Sequence, residues 1–142
     1  MTGSVGLVVP AYRPDVALLR GYLDDLDRII APTTLRVEID APEESTLRAL
    51  EDGPAEINAV ATRRGKGAAI TDGFEALETD ILAFADADGS TPAESIAEVI
   101  EPVRGGQADL AVGSRRHPAA DIRSHQSVLR QRLGDAFAWL AR

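Results

Sequence analysis

The stretch Asp80-Ile81-Leu82-Ala83-Phe84-Ala85-Asp86-Ala87-Asp88 decides the fold. Its apolar run, Ile81 to Ala85, lies between charged residues and has the length of a buried strand. The run ends in two aspartates spaced i, i+2, which on a strand project to one side. Open α/β sheets bind ligands outside the carboxyl ends of their strands. Carboxylate oxygens at that place suit Mg²⁺ or Mn²⁺, ions that commonly share themselves with substrate phosphates. Asp86 and Asp88 are therefore candidate metal ligands, and the expected partner is a metal-bound nucleotide or sugar nucleotide. The chain carries its own control in Asp25-Leu26-Asp27, which has the same spacing inside a predicted helix and reads as a solvated face.

Working upstream, Val5–Val9 reads as a strand closed by Pro10, and Pro14 suits the first turn of a following helix. Leu19, Tyr22, Leu23, Leu26, Ile29 and Ile30 recur at helical spacing. Leu35–Ile39 is a second strand. A short helix around Glu43–Glu51, a weak strand around Ile57–Ala61 and a helix over Gly67–Glu78 follow. Downstream, Thr91-Pro92-Ala93-Glu94 has the form of a capping box with proline at the first helical position. That helix runs to about Arg104 and stops at Gly105-Gly106. Leu110–Val112 reads as another strand, 117–124 as a loop, and Leu129, Leu133, Ala136, Phe137 and Leu140 as an amphipathic helix. Alternating strands and helices predict an α/β domain, a mostly parallel sheet with helices on both faces.

Other residues cluster at predicted strand ends. Tyr12, after Pro10-Ala11, is placed to stack on a nucleobase, although a half-buried loop aromatic is the commoner state of a lone tyrosine. Asp40 ends the second strand, where dinucleotide folds hold a ribose; it also suits a turn before Ala41-Pro42. Arg63-Arg64-Gly65-Lys66-Gly67 precedes a helix, and amides at a helix N-terminus beside cations favour a phosphate. It is not a P-loop, because Gly67 stands where Ser or Thr would hold Mg²⁺. Gly113-Ser114-Arg115 ends the last strand, and Arg130 lies on the final helix; arginine forks suit phosphates, while a surface helix position explains Arg130 equally. His117 and His125 lack metal-ligand spacing.

With 142 residues the chain is about one domain, and 44% apolar composition suits a globular core. The absence of cysteine excludes disulfides and cysteine-zinc sites and fits a cytoplasmic protein. No apolar run approaches the roughly 20 residues of a spanning helix, and Met1-Thr-Gly-Ser lacks the pattern of a signal peptide. A net charge of −8 disfavours nucleic acid as a partner. The charge is uneven: −12 over residues 1–114 and +4 over 115–142. The C-terminal segment is thus suited to anionic partners or to a solvated helix face.

Pro10-Ala11-Tyr12, Asp40, Gly65-Lys66-Gly67, Asp86-Ala87-Asp88 and Gly113-Ser114-Arg115, in that order, resemble the family 2 glycosyltransferases with a GT-A (Rossmann-like) fold. Within them the pattern is similar to the polyprenyl (dolichyl) phosphate sugar synthases. The single lysine against fourteen arginines, with high acid, also resembles haloarchaeal composition, which a GC-rich genome would equally favour. The resemblance implies that Pro10, Ala11 and Tyr12 line the base pocket and that Asp40 contacts the nucleoside. Asp86, with Ala87 beside it, would hold the nucleotide sugar, and Asp88 the divalent metal on the diphosphate. Arg115 and Arg130 would grip an acceptor phosphate.

The pattern also departs from the family. Arg13-Pro14-Asp15 replaces the Asn-Glu that usually follows the tyrosine, with Asp15 standing in for the acid one residue later. Ala41 replaces a second aspartate, and Gly134 a serine. Relatives continue past the last helix, so residues 1–142 read as the nucleotide-sugar-binding part of a GT-A domain that lacks C-terminal acceptor elements. The implied reaction is inverting, metal-dependent transfer of a sugar from a UDP-glucose or GDP-mannose type donor to a polyprenyl phosphate. The setting would be the cytoplasm, at the cytoplasmic face of a membrane, with peripheral contact through the basic helix. Two alternatives stand beside it: a nucleotidyltransferase of related fold, and a nucleotide-sugar-binding module without turnover. The first would want a glycine- and arginine-rich loop after the first strand, where Pro10-Ala11-Tyr12-Arg13-Pro14 stands instead.

Overall fold

A computed structural model describes residues 3–114. Eight elements alternate: β1 (Val5–Tyr12), α1 (Val16–Ile30), β2 (Thr34–Asp40), α2 (Glu44–Glu51), β3 (Glu56–Val60), α3 (Lys66–Glu75), β4 (Ile81–Phe84) and α4 (Ala93–Arg104). The strands form one sheet in the order β3-β2-β1-β4, and every pairing is parallel. The chain builds outward from β1 through β2 to β3, then crosses back to lay β4 on the other side of β1. The order reverses there, so the crevice at the carboxyl ends of β1 and β4 is the expected ligand position. The predicted α/β architecture, parallel and with helices on both faces, is the one observed.

The two faces of the sheet differ because strand side chains alternate. Val5, Leu7, Val9 and Ala11 of β1, with Leu35, Val37 and Ile39 of β2, point into the main apolar core. Leu19, Tyr22, Leu23, Leu26 and Ile30 of α1 and Ile100 of α4 close that core from above. The opposite face carries α3, which approaches closely because it has a glycine at the crossing. A Cβ on Gly73 would lie 2.7 Å from Val8 Cγ1, closer than Cβ contacts come without a shift, and a tight 3.1 Å from Glu38 Cγ.

Four local expectations are corrected. Pro14 lies outside α1; Asp15 is the N-cap, and its carboxylate accepts the Leu18 N–H at 3.0 Å. The Thr91–Glu94 capping box does not form: α4 starts at Ala93 behind Pro92 with no side-chain cap. Instead the Thr91 carbonyl accepts the Tyr22 hydroxyl at 2.6 Å, a tertiary bond invisible to local pattern. Asp86 and Asp88 lie beyond the end of β4, in the turn that leads to α4, so strand alternation does not set their direction. Leu110–Val112 is not a strand: a strand needs a paired edge, and among the described residues this stretch pairs with none, with Leu110 and Val112 exposed. Arg115, Arg130, both histidines and the predicted C-terminal helix lie outside the described residues.

Candidate functional site

A cleft of about 480 Å³ opens at the carboxyl ends of β1, β2 and β4. Such a volume falls in the usual range for small-molecule sites. Three loops build it. The end of β1 and the turn after it supply Pro10, Ala11, Tyr12, Arg13, Pro14 and Asp15; the loop before α3 and its first turn supply Arg63, Gly65, Lys66 and Ala69; the turn after β4 supplies Asp86, Ala87 and Asp88. Asp40 of β2 and Leu18 of α1 complete the lining. Pro10, Ala11, Tyr12, Asp15, Asp40, Lys66, Asp86, Ala87 and Asp88 therefore border one cavity, while Gly113 and Ser114 do not line it.

Their environments are unequal. Asp40 is 2% exposed, and its carboxylate is already engaged. Oδ2 accepts the backbone N–H groups of Arg64 (2.7 Å) and Gly65 (2.9 Å), while Oδ1 accepts Arg64 Nε (2.8 Å). Burial alone would raise its pKa; the hydrogen bonds from Arg64 and Gly65 outweigh burial and hold it below the usual carboxylate value. Asp40 thus supplies the anion at the entry to α3, a place the sequence suggested for a phosphate. Asp15 likewise spends a carboxylate oxygen on the N-terminus of α1.

Beneath Asp40 lies a network that sequence reasoning missed. Glu38, fully buried, accepts Arg36 Nε (2.6 Å), Asn58 Nδ2 (2.8 Å) and Arg64 Nη1 (2.9 Å). Arg64 Nη1 also reaches Asp72 of α3 at 2.8 Å. Arg64 is therefore a rivet between β2 and α3, and its acidic partners raise its pKa further against the opposing effect of burial. The signal was present: Arg36, Glu38 and Asp40 alternate with Leu35, Val37 and Ile39 in what is now an interior strand.

Arg63 turns the other way. Its guanidinium carbon sits 4.3 Å from the centroid of the Tyr12 ring, and that of Arg13 sits 5.3 Å from the same ring. Tyr12 is 38% exposed at the cleft and carries two guanidinium cations near its π surface.

On the β4 side, Asp86 pairs with the ammonium of Lys66, which also lies 5.7 Å from the Phe84 ring centroid. Asp88 Oδ1 accepts the Ser90 N–H at 2.9 Å, tightening the turn. Gly89 follows in the left-handed region (φ +66°), over Leu18 and Tyr22 of α1. The Tyr22 hydroxyl ties the far end of this turn to α1. Its pKa is pushed up to about 12, first by burial and then by the charges of Asp86 and Asp88. The two acids therefore act together on one buried probe.

Among the described residues no three acids or histidines converge as a closed metal cage. Two hard carboxylates at a cleft mouth do fit Mg²⁺ or Mn²⁺ of the kind that completes its shell with phosphate oxygens and water. The cation that Asp86 already attracts, the ammonium of Lys66, agrees with that fit.

The family model for glycosyl transferase family 2 matches residues 40–137. The chain belongs to that family. Among family relatives, the glycosyltransferase AglD of Haloferax volcanii is 32% identical over 127 residues, covering 81% of this chain and 20% of its own length. An undecaprenyl-phosphate mannosyltransferase of Micrococcus luteus is 34% identical over 123 residues, covering 81% of this chain and 49% of that protein. The chain thus spans between a fifth and a half of these relatives. A mannosyltransferase of Pyrobaculum calidifontis, solved with GDP-Man and Mn²⁺, superposes with a TM-score of 0.61 at 21% identity, over 72% of this chain and 33% of its own. A mannosyl-3-phosphoglycerate synthase of Rubrobacter xylanophilus gives 0.60 at 19% identity, over 72% of this chain and 36% of its own. These likenesses confirm the GT-A fold, and the undecaprenyl-phosphate mannosyltransferase among the sequence relatives agrees with the branch expected from the motif order.

Proposed function

We propose that this domain binds a nucleoside diphosphate sugar in the cleft and transfers its sugar, with inversion, to a polyprenyl phosphate. The carrying observation is the arrangement of the cleft: an aromatic and arginine wall at Tyr12, and the Asp86–Asp88 turn opposite Lys66, at the point where the strand order reverses. The names of the relatives support the same donor and acceptor classes, with GDP-mannose and UDP-glucose as the donors to test.

In this reading the base lies along the Tyr12–Arg63 wall and the diphosphate points to the β4 side. Asp88 and Asp86 would hold Mg²⁺ or Mn²⁺, which when bound supplies Lewis-acid neutralisation of the charge growing on the leaving diphosphate. Lys66 adds a second positive charge to that diphosphate, already aimed by the Asp40-anchored start of α3. A phosphate oxygen of the acceptor forms the new bond to the anomeric carbon as the bond to the donor β-phosphate breaks. A phosphate monoester with a second pKa of about 6 is already anionic at neutral pH, so no general base is required. Arg115 and Arg130 are the proposed acceptor-phosphate ligands. No helix among the described residues is long and apolar enough to cross a membrane, so membrane contact would be peripheral for this part.

Calorimetric titration with GDP-mannose and UDP-glucose, each with and without Mn²⁺, tests the reading. Mn²⁺-dependent binding is expected for one of them. Binding that ignores the metal, or no binding of either, would leave a module without turnover as the better description.

A further inference from the structure

Lys66 is the only lysine in the chain, and its ammonium is held by Asp86, a proposed ligand of the divalent cation. The two groups come from opposite walls of the cleft, the first residue of α3 and the turn after β4. Backbone and side chain of Lys66 are secured differently. The backbone starts a helix whose preceding amide is fixed to the buried Asp40. The side chain is 56% exposed and Asp86 45%, so the ammonium is free to swing on its four-carbon stem. One carboxylate cannot serve an ammonium and a divalent cation at the same oxygens without bringing the two cations into repulsion.

We propose that Lys66 is an exchangeable positioning residue: it occupies the cation place on Asp86 until metal and nucleotide arrive, then moves to the diphosphate. This rests on the donor reading given above. A diphosphate offers the ammonium a more highly charged partner, and its departure gives Asp86 to the metal. Each ligand thereby removes a cost from the binding of the other, which is positive coupling between two adjacent sites.

The test uses the 142-residue chain, Mn²⁺ alone as first probe, and UDP and GDP as second probes. Lys66→Met should bind Mn²⁺ about two- to fivefold more tightly than wild type without nucleotide, the worth of a half-exposed ion pair. In saturating Mn²⁺ the same variant should bind UDP or GDP more weakly. Lys66→Arg should return Mn²⁺ affinity toward wild type, and Arg20→Gln, which removes a charge from an exposed position on α1, should leave it unchanged. A merely structural lysine would not raise metal affinity when lost. Unchanged or weaker Mn²⁺ binding in Lys66→Met, or the same gain in Arg20→Gln, overturns the exchange while wild-type Mn²⁺-dependent nucleotide binding keeps the donor reading. If wild type binds neither nucleotide with Mn²⁺, both fall together.

Discussion

The two walls of the cleft use the same residue types to opposite ends. On the β2–α3 wall, Glu38, Asp40 and Asp72 converge on Arg64, and hydrogen bonds engage both oxygens of each buried carboxylate. On the β4–α4 wall, Asp86 stands half-exposed, and the turn is tied down by a tyrosine hydroxyl and an interchangeable lysine. Acid on the first wall is consumed in building the site; on the second, Asp86 is held by a half-exposed lysine rather than by buried hydrogen bonds. A carboxylate at a strand's end is therefore not a binding group by position alone. Its prior hydrogen bonds decide.

That contrast can be broken most strongly at Arg64. Replacing Arg64 with alanine takes the guanidinium from Glu38, Asp40 and Asp72 while leaving Asp40 its two backbone N–H donors and Glu38 its bonds from Arg36 and Asn58, and urea unfolding should show a loss of about 1.5–3 kcal/mol, the worth of hydrogen bonds to charged groups. A loss under about 1 kcal/mol would mean that this wall is not prepaid structure. Next in size, Asp88→Ala should weaken Mn²⁺-dependent nucleotide binding by about tenfold or more, near 1.4 kcal/mol. Its unfolding midpoint should hardly move; a large stability loss with binding intact would make the walls alike.

Tyr22→Phe sharpens the comparison further. It removes one hydrogen bond, worth about 0.5–1.5 kcal/mol, and loosens the acidic turn. Mn²⁺ affinity should fall with it, whereas an unchanged affinity would show that the turn holds its shape unaided. The last effect appears only in acid. Asp40 has a depressed folded pKa, so its stabilisation is whole above the ordinary value near 3.8 and is lost as pH falls through the folded value. The stability of Asp40→Asn should depend less on pH below about 4 than that of wild type.

Much of this was legible. Apolar runs placed all four strands within a residue or two at most ends, because strands in a parallel sheet are bounded by charge and turn chemistry. The motifs at Pro10–Tyr12, Asp40, Gly65–Lys66 and Asp86–Asp88 gathered one cleft because the strand order brings their carboxyl ends together, whereas Gly113 and Ser114 do not line it. What escaped depended on distant partners. Arg63 and Arg64 are indistinguishable as letters, yet one stacks on Tyr12 and the other is largely covered, bonded to Glu38 and Asp40 of β2. Thr91 looked like a cap and instead anchors a tyrosine 69 residues away. Leu110–Val112 had strand composition but pairs with no edge among the described residues.

Gly73 reaches further than its size suggests. By lacking a methyl group it lets α3 settle onto Val8 and Glu38, and Lys66 stands two turns earlier on the same rigid rod, about 10 Å along its axis. Any side chain there would tip the rod and lift its leading end. The height at which the lone ammonium hangs over the acidic turn is thus gauged from the far side of the sheet, by an atom that is missing.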